Sequence, residues 1–287
     1  MATIYKSPIY KETILELYQQ KLDSFQVPYG EQQVMTFAGQ TNVVVLGEAH
    51  LPPLVLIHGI NVSAPIALEA VQELSQSYRI YGVDVVGQPN KSSETRLSVH
   101  DDSYGRWLEE VLDGLQLDKV PVIGVSYGGF IVQRLLQHAS QRVERAILIV
   151  PAGFVNGSGF KSLLNVFLPM MKYWRSKSDK DLLKFMNAFY LEVDDYSLAY
   201  QKAVMQGIHM DMARPPLLRK KDVQNLEVPI YIIAAEKDIF FPGEALIKKA
   251  KKLFKNLVQA ELLMGEKHVP DPRVYPRLNQ LIRDFLS

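Results

Sequence analysis

The sequence predicts an α/β fold: a mostly parallel, doubly wound sheet with a block of helices inserted late in the chain. Three observations predict it. Short, fully apolar runs alternate with amphipathic stretches through the first half of the chain. The alternation stops over residues 153–222, where only helical periodicity is found, and it resumes from there to the C-terminus. Apolar runs without polar interruptions are strands buried on both faces, as parallel strands are.

The elements follow in order. Residues 9–25 place Ile14, Leu17, Tyr18, Leu22 and Phe25 on one side of a helix. Residues 34–37 and 43–46 are β-rich and joined through Ala38-Gly39-Gln40, the pattern of a hairpin. The alternation then runs strand 54–57, helix 64–76, strand 78–83, helix 103–115, strand 120–123, helix 126–138 and strand 145–150. The helical block has segments at 160–173, 179–191 and 196–206. Strand 230–234, helix 244–254, strand 259–263 and helix 272–285 complete the chain. A core of residues 1–152 and 223–287 is therefore expected, with 153–222 as an inserted cap. No internal repeat is present.

Bulk composition narrows the partners. The 287 residues suit one large α/β domain with a modest insertion. Hydrophobic residues make up 47% and charged residues 22%, an ordinary soluble composition. A net charge of +1 provides no bulk attraction to nucleic acid or anionic membranes. There are no cysteines, which excludes disulfides, thiolate metal sites and a cysteine nucleophile. Residues 1–11 lack the apolar core of a signal peptide, and no apolar run approaches the ~18 residues of a spanning helix. A cytoplasmic protein is expected, with no nucleic-acid partner and no stable membrane association. Its oligomeric state is left open.

The chemistry sits at one turn. Gly124-Val125-Ser126-Tyr127-Gly128 is a G-x-S-x-G string after an apolar strand and before a helix. The turn must be sharp enough to lift a serine Oγ above the sheet, and flanking glycines remove the side chains that would collide there. The helix that follows directs its positive end at the same point. The alternative role for Ser126 is to cap that helix.

A serine nucleophile needs a base, and histidine is the usual one. Six are available. His138 lies roughly 18 Å from Ser126 along the helix axis, His50 precedes the first parallel strand, His100 precedes a helix and His209 lies in the insertion. His58 follows a core strand beside Gly59, where it is expected to shape the site. His268, just past the last strand, falls on the sheet edge where ligands bind. The orienting acid is found the same way: Asp238 follows strand 230–234, with Glu236 as its rival. The segment after strand 145–150, Pro151-Ala152-Gly153-Phe154, holds no carboxylate. The chain order is Ser126, Asp238, His268.

Placed in that order, the three residues resemble the triad of the α/β-hydrolase superfamily, in its group of helically capped serine hydrolases. The similarity runs from about residue 43 to the C-terminus. It includes His58-Gly59, similar to the family's oxyanion loop. It also includes the segment from Asp84 to Ser92, which resembles the family's D-x-x-G-x-G-x-S loop with Pro89 where the second glycine belongs. The resemblance implies backbone oxyanion donors at Ile60 and Tyr127, a bracing role for Asp84 and a polar contact from Asn61. Asn61 has a local alternative, capping the turn that follows. Relatives that open epoxides or remove halides use an aspartate nucleophile, so serine at 126 disfavours both. No His, Asp and Glu cluster has metal-ligand spacing and no glycine-rich phosphate loop occurs, so no cofactor is expected. What remains is a serine hydrolase acting through an acyl-enzyme on carboxylic esters of small to medium apolar acyl groups, with thioesters and diketone-type C–C bonds as neighbouring chemistries. A ligand receptor on the same fold is the alternative of a different class.

The insertion opens with a dense apolar run that includes Phe160, Phe167, Met170 and Trp174. Such a run is expected to be buried, mostly packing the insertion on the core and otherwise roofing the substrate pocket. Lys161, Lys172, Arg175 and Lys177 flank it and are read as not forming a basic face.

Overall fold

The computed structural model describes residues 3–287. The strands are β1 (Tyr29–Thr36), β2 (Gly39–Leu46), β3 (Pro53–Ile57), β4 (Arg79–Val83), β5 (Val120–Val125), β6 (Val143–Ile149), β7 (Ile230–Ala235) and β8 (Leu257–Leu263). They form one sheet in the order β1-β2-β4-β3-β5-β6-β7-β8. β1 and β2 make an antiparallel hairpin, and β2 runs antiparallel to β4. The remaining pairs are parallel.

Helices cover both faces. One core cluster joins the sheet to α3 (Ser103–Gly114), α4 (Tyr127–Ala139) and α9 (Gly243–Leu253). The other joins it to α1 (Pro8–Asp23), α2 (Ala64–Glu69) and α10 (Tyr275–Leu286). β7 shows how a continuous apolar run serves both: Ile230, Ile232 and Ala234 enter the first cluster, and Tyr231, Ile233 and Ala235 the second. Since β4 and β5 flank β3 on opposite sides, a crevice opens at the carboxyl ends of β3 and β5. Ser126 follows β5 at that point.

Between β6 and β7 lie α5 (Gly159–Ser162), a π-helical turn (Leu163–Phe167), α6 (Leu168–Ser176), α7 (Asp179–Met186) and α8 (Asp195–Gly207). α8 packs on α1 around Ile14, Tyr200 and Val204, and Tyr5 bridges to Ile208. Among the described residues, no helix is long and apolar enough to cross a membrane.

Several boundaries differ from expectation. The helix expected over 64–76 ends at Glu69 and continues as a 3-10 turn, Gln72–Gln76. The helix expected to start at Ser126 starts at Tyr127. The larger correction concerns the apolar run of the insertion. Met170 and Tyr173 are buried, but Phe160 is 71% exposed, and Leu163, Leu164, Phe167, Leu168 and Met171 are exposed with it. The physical reason is layering. The apolar helix, from α5 through α6, packs on α7 by one side, and the side chains on its other side are exposed.

Candidate active site

β5 ends in a turn that no ordinary residue would take by itself. Ser126 has φ +53° and ψ −113°, outside the conformations preferred by a side chain of its kind. Neighbouring glycines make the turn possible. A Cβ on Gly128 would come within 2.1 Å of the Ile57 carbonyl oxygen, and one on Gly124 within 2.6 Å of the Gly128 carbonyl oxygen. Ser126 does not cap α4 with its side chain. Its Oγ instead lies 2.9 Å from His268 Nε2.

His268 Nδ1 is 2.7 Å from Asp238 Oδ2. A carboxylate there accepts an Nδ1–H, which leaves Nε2 with its lone pair toward Ser126. Asp238 is buried, and its Oδ1 accepts the Phe240 and Phe241 N–H groups at 2.7 and 3.0 Å. Those two rings meet the imidazole edge-on at 5.1 and 5.5 Å. Glu236, the rival acid, does other work: its Oε2 accepts the Gly265 N–H at 2.7 Å and holds the loop that carries His268. Three residues far apart in sequence are thus brought into one hydrogen-bonded line. His50, His100, His138 and His209 take no part, and His138 faces Glu109 at 3.0 Å.

The Ile60 and Tyr127 N–H groups, singled out by resemblance, meet no protein acceptor among the described residues. Ser126's own N–H donates to the Ile149 carbonyl. Asn61 is pinned at φ +56°. Its N–H donates to Gln88 Oε1 at 2.7 Å, its Nδ2 to the Asp211 carbonyl, and its Oδ1 accepts the Asp211 N–H, both at 3.1 Å. Gln88 closes the ring with a 3.1 Å bond to Asp211 Oδ2. Sequence spacing carries no sign of this network, because its members lie 27, 123 and 150 positions apart.

Ser126 and His268 open into a cavity of about 320 Å³. Its apolar wall comes from Phe185, Phe189, Met210, Phe240, Phe241 and Val269, with Asn61 and Gln201 among its polar lining. Phe160, Phe167, Met170 and Trp174 do not line it, contrary to expectation. Phe160 and Phe167 face outward, while Met170 and Trp174 pack in the layer behind Phe185 and Phe189. Phe240 and Phe241 follow Asp238 directly, so their proximity was available to sequence reasoning. The contribution of α7 and α8 was not.

His58 also misses the cavity wall. It is fully buried behind the loop, where Nε2 accepts the Val85 N–H at 2.9 Å and Nδ1 faces the Gly59 carbonyl at 2.7 Å. Burial pushes its pKa down to about 4. Asp84, 4.0 Å away, is raised by burial to about 6, although it accepts from Ala64 N, Tyr18 Oη and Asn42 Nδ2. The two act oppositely on stability. Unfolded histidine titrates near ~6.5, so as pH falls from there toward about 4 the unfolded chain gains a proton that native His58 refuses, and stability drops. Native Asp84 takes its proton before the unfolded chain does, so acid favours the native state between about 6 and 3.8. Asp84→Asn should therefore lose more stability than the wild type between pH 7 and pH 5, by about 1 kcal/mol. Urea unfolding at both pH values tests this. An equal or smaller loss would show that the two groups do not oppose each other.

Among the described residues, no group of three or more His, Cys, Asp or Glu side chains could hold a metal ion.

Comparison with known proteins agrees with this architecture. The model of a family described as alpha/beta hydrolase fold matches residues 52–193. The uncharacterized carboxylesterase nap of Bacillus subtilis is 23% identical, over 95% of this chain and 91% of its own length. The carboxylesterase YbfK of the same organism is also 23% identical, over 94% and 92%. The crystal structure of naproxen esterase from Bacillus subtilis superposes with a TM-score of 0.85, at 21% identity, covering 98% of this chain and all of that one.

Proposed function

Because the chain has the α/β-hydrolase fold and is carboxylesterase-like over nearly its whole length, we propose that it is a serine esterase acting on carboxylic esters of small to medium apolar acids. The observation that carries the proposal is the line from Ser126 Oγ through the His268 ring to Asp238 at the wall of an apolar cavity.

In this reading His268 Nε2 takes the Ser126 proton as Oγ attacks the ester carbonyl. The charge that builds on the carbonyl oxygen is met by the N–H groups of Ile60 and Tyr127, assisted by the positive end of α4. His268 then returns the proton to the departing alcohol, leaving an acyl group on Ser126. Water, activated by the same histidine, releases the acid. Asp238 holds the tautomer and stabilises the imidazolium formed in each half. The free N–H groups and the pinned Asn61 support this assignment of the oxyanion site. Residues 153–222 serve as the cap, contributing Phe185, Phe189 and Met210 to the acyl chamber.

A chamber of this kind should rank substrates by acyl length. Each CH₂ taken from water contributes about 0.8 kcal/mol, close to a fourfold gain in kcat/KM. Butanoyl to octanoyl p-nitrophenyl esters should therefore beat acetyl esters, and the gain should stop or reverse once the chain fills the cavity. Measuring kcat/KM along that series tests the proposal. A flat profile would mean that the acyl group points to solvent, and negligible turnover of every ester would reject the esterase assignment.

A further inference from the structure

The outward side of the helix that opens the insertion is a built surface with its own chemistry. Phe160, Leu163, Phe167 and Met171 follow one i, i+3/i+4 row, and Leu164 and Leu168 lie in the next. Each of the six is at least 43% exposed. Lys161 begins that second row, and Lys172 and Arg175 end it. The inward side is fixed, because Val166, Met170 and Tyr173 pack against Phe185 and Phe189.

The segment that carries the stripe has charge of one sign. From residue 146 to 178 the chain carries Lys161, Lys172, Arg175 and Lys177 and no carboxylate. The carboxylates that open α7 are already engaged: Asp181 accepts Ser176 Oγ at 2.6 Å and pairs with Lys172 at 2.9 Å, and Asp179 pairs with Lys202 at 2.7 Å. Lys161, Arg175 and Lys177 have no carboxylate partner among the described residues. An apolar stripe flanked by cations, on a helix too short to span a bilayer, matches a surface that is anionic outside and hydrocarbon beneath.

Net charge and spacing along the chain lead to an expectation of no stable membrane association, but from the exposed stripe and its cations we propose that this face, from Phe160 to Arg175, seats the protein on an anionic lipid surface, with the helix lying in the headgroup plane. Lys161 and Arg175 reach the phosphates while Phe160, Phe167 and Met171 enter the acyl boundary. The helix is tied to the wall of the Ser126 cavity, since the Gly157 N–H donates to the Phe240 carbonyl at 2.6 Å and Val166 packs in the cluster that holds Phe240 and Val269. Docking would therefore hold the cavity close to where apolar esters concentrate. The docking itself does not depend on the esterase reading.

Flotation of the full chain with vesicles of equimolar phosphatidylglycerol and phosphatidylcholine tests this, against vesicles of phosphatidylcholine alone. The wild type should float with the anionic vesicles at low salt, and Trp174 emission should shift, because Trp107 is fully buried in the core. Phe160→Asp with Phe167→Asp, and separately Lys161→Glu with Arg175→Glu, should each weaken binding by ~tenfold or more. Circular dichroism and Tm should be unchanged, the four side chains being exposed. Absence of flotation by the wild type would overturn the proposal, as would flotation of both double variants at the wild-type level. A concentration-dependent dimer, abolished by Phe160→Asp with Phe167→Asp and accompanied by no vesicle binding, would assign the face to a second copy instead.

Discussion

Replacing Ser126 with alanine should lower kcat for p-nitrophenyl butanoate by ~10³-fold or more, because the oxyanion donors and substrate binding alone retain little of the rate. The fold should survive. Ser126 Oγ caps no helix, and among the described residues its side-chain hydrogen bond is to His268 at 2.9 Å. Alanine also inherits the strained backbone at φ +53° without adding bulk. Tm should therefore stay close to that of the wild type while turnover collapses. Retention of a tenth of the activity, with contaminating esterase excluded, would remove Ser126 from the mechanism.

Asp238→Asn should cost about 10²- to 10⁴-fold in kcat, through a tautomer rather than through a lost contact. The asparagine oxygen would keep the Phe240 and Phe241 N–H bonds that shape the turn. That choice turns the amide NH₂ toward His268 Nδ1, which must then accept. The ring proton moves to Nε2, the atom that should be taking the proton of Ser126. Glu236→Gln should lose less than ~tenfold, because Glu236 acts on the Gly265 backbone and not on the imidazole. The reverse order of effects would move the orienting role to Glu236.

Much of the candidate site was legible before any coordinates. Each of its three polar side chains sits where a parallel strand ends, and strand ends are marked in the sequence by apolar runs breaking into Gly, Asp or Lys. Gly128 declares itself through the G-x-S-x-G string, although the group that leaves it no room for a Cβ, the Ile57 carbonyl, belongs to another strand. Chain order then separates His268 from five other histidines without any distance.

The lining of the cavity was not legible in this way. Asn61 stands out in the sequence, but its partners Gln88 and Asp211 come from loops brought together only by the assembled sheet and the returning insertion. Phe185 and Phe189 line the cavity because α7 packs on α6 at one rotation, and nothing in their own spacing prefers that rotation.

The apolar helix marks the division most clearly. Its sequence determined that residues 160–174 are helical and apolar, together with the strands, the alternation and the order of Ser126, Asp238 and His268, since all of these depend on neighbours along the chain. Whether an apolar side chain is buried depends on what lies across from it, which is a property of layers and not of spacing. The insertion offers one layer to α6 and leaves the other side in solvent, so tertiary structure alone decided that Met170 is core and Phe160 is surface.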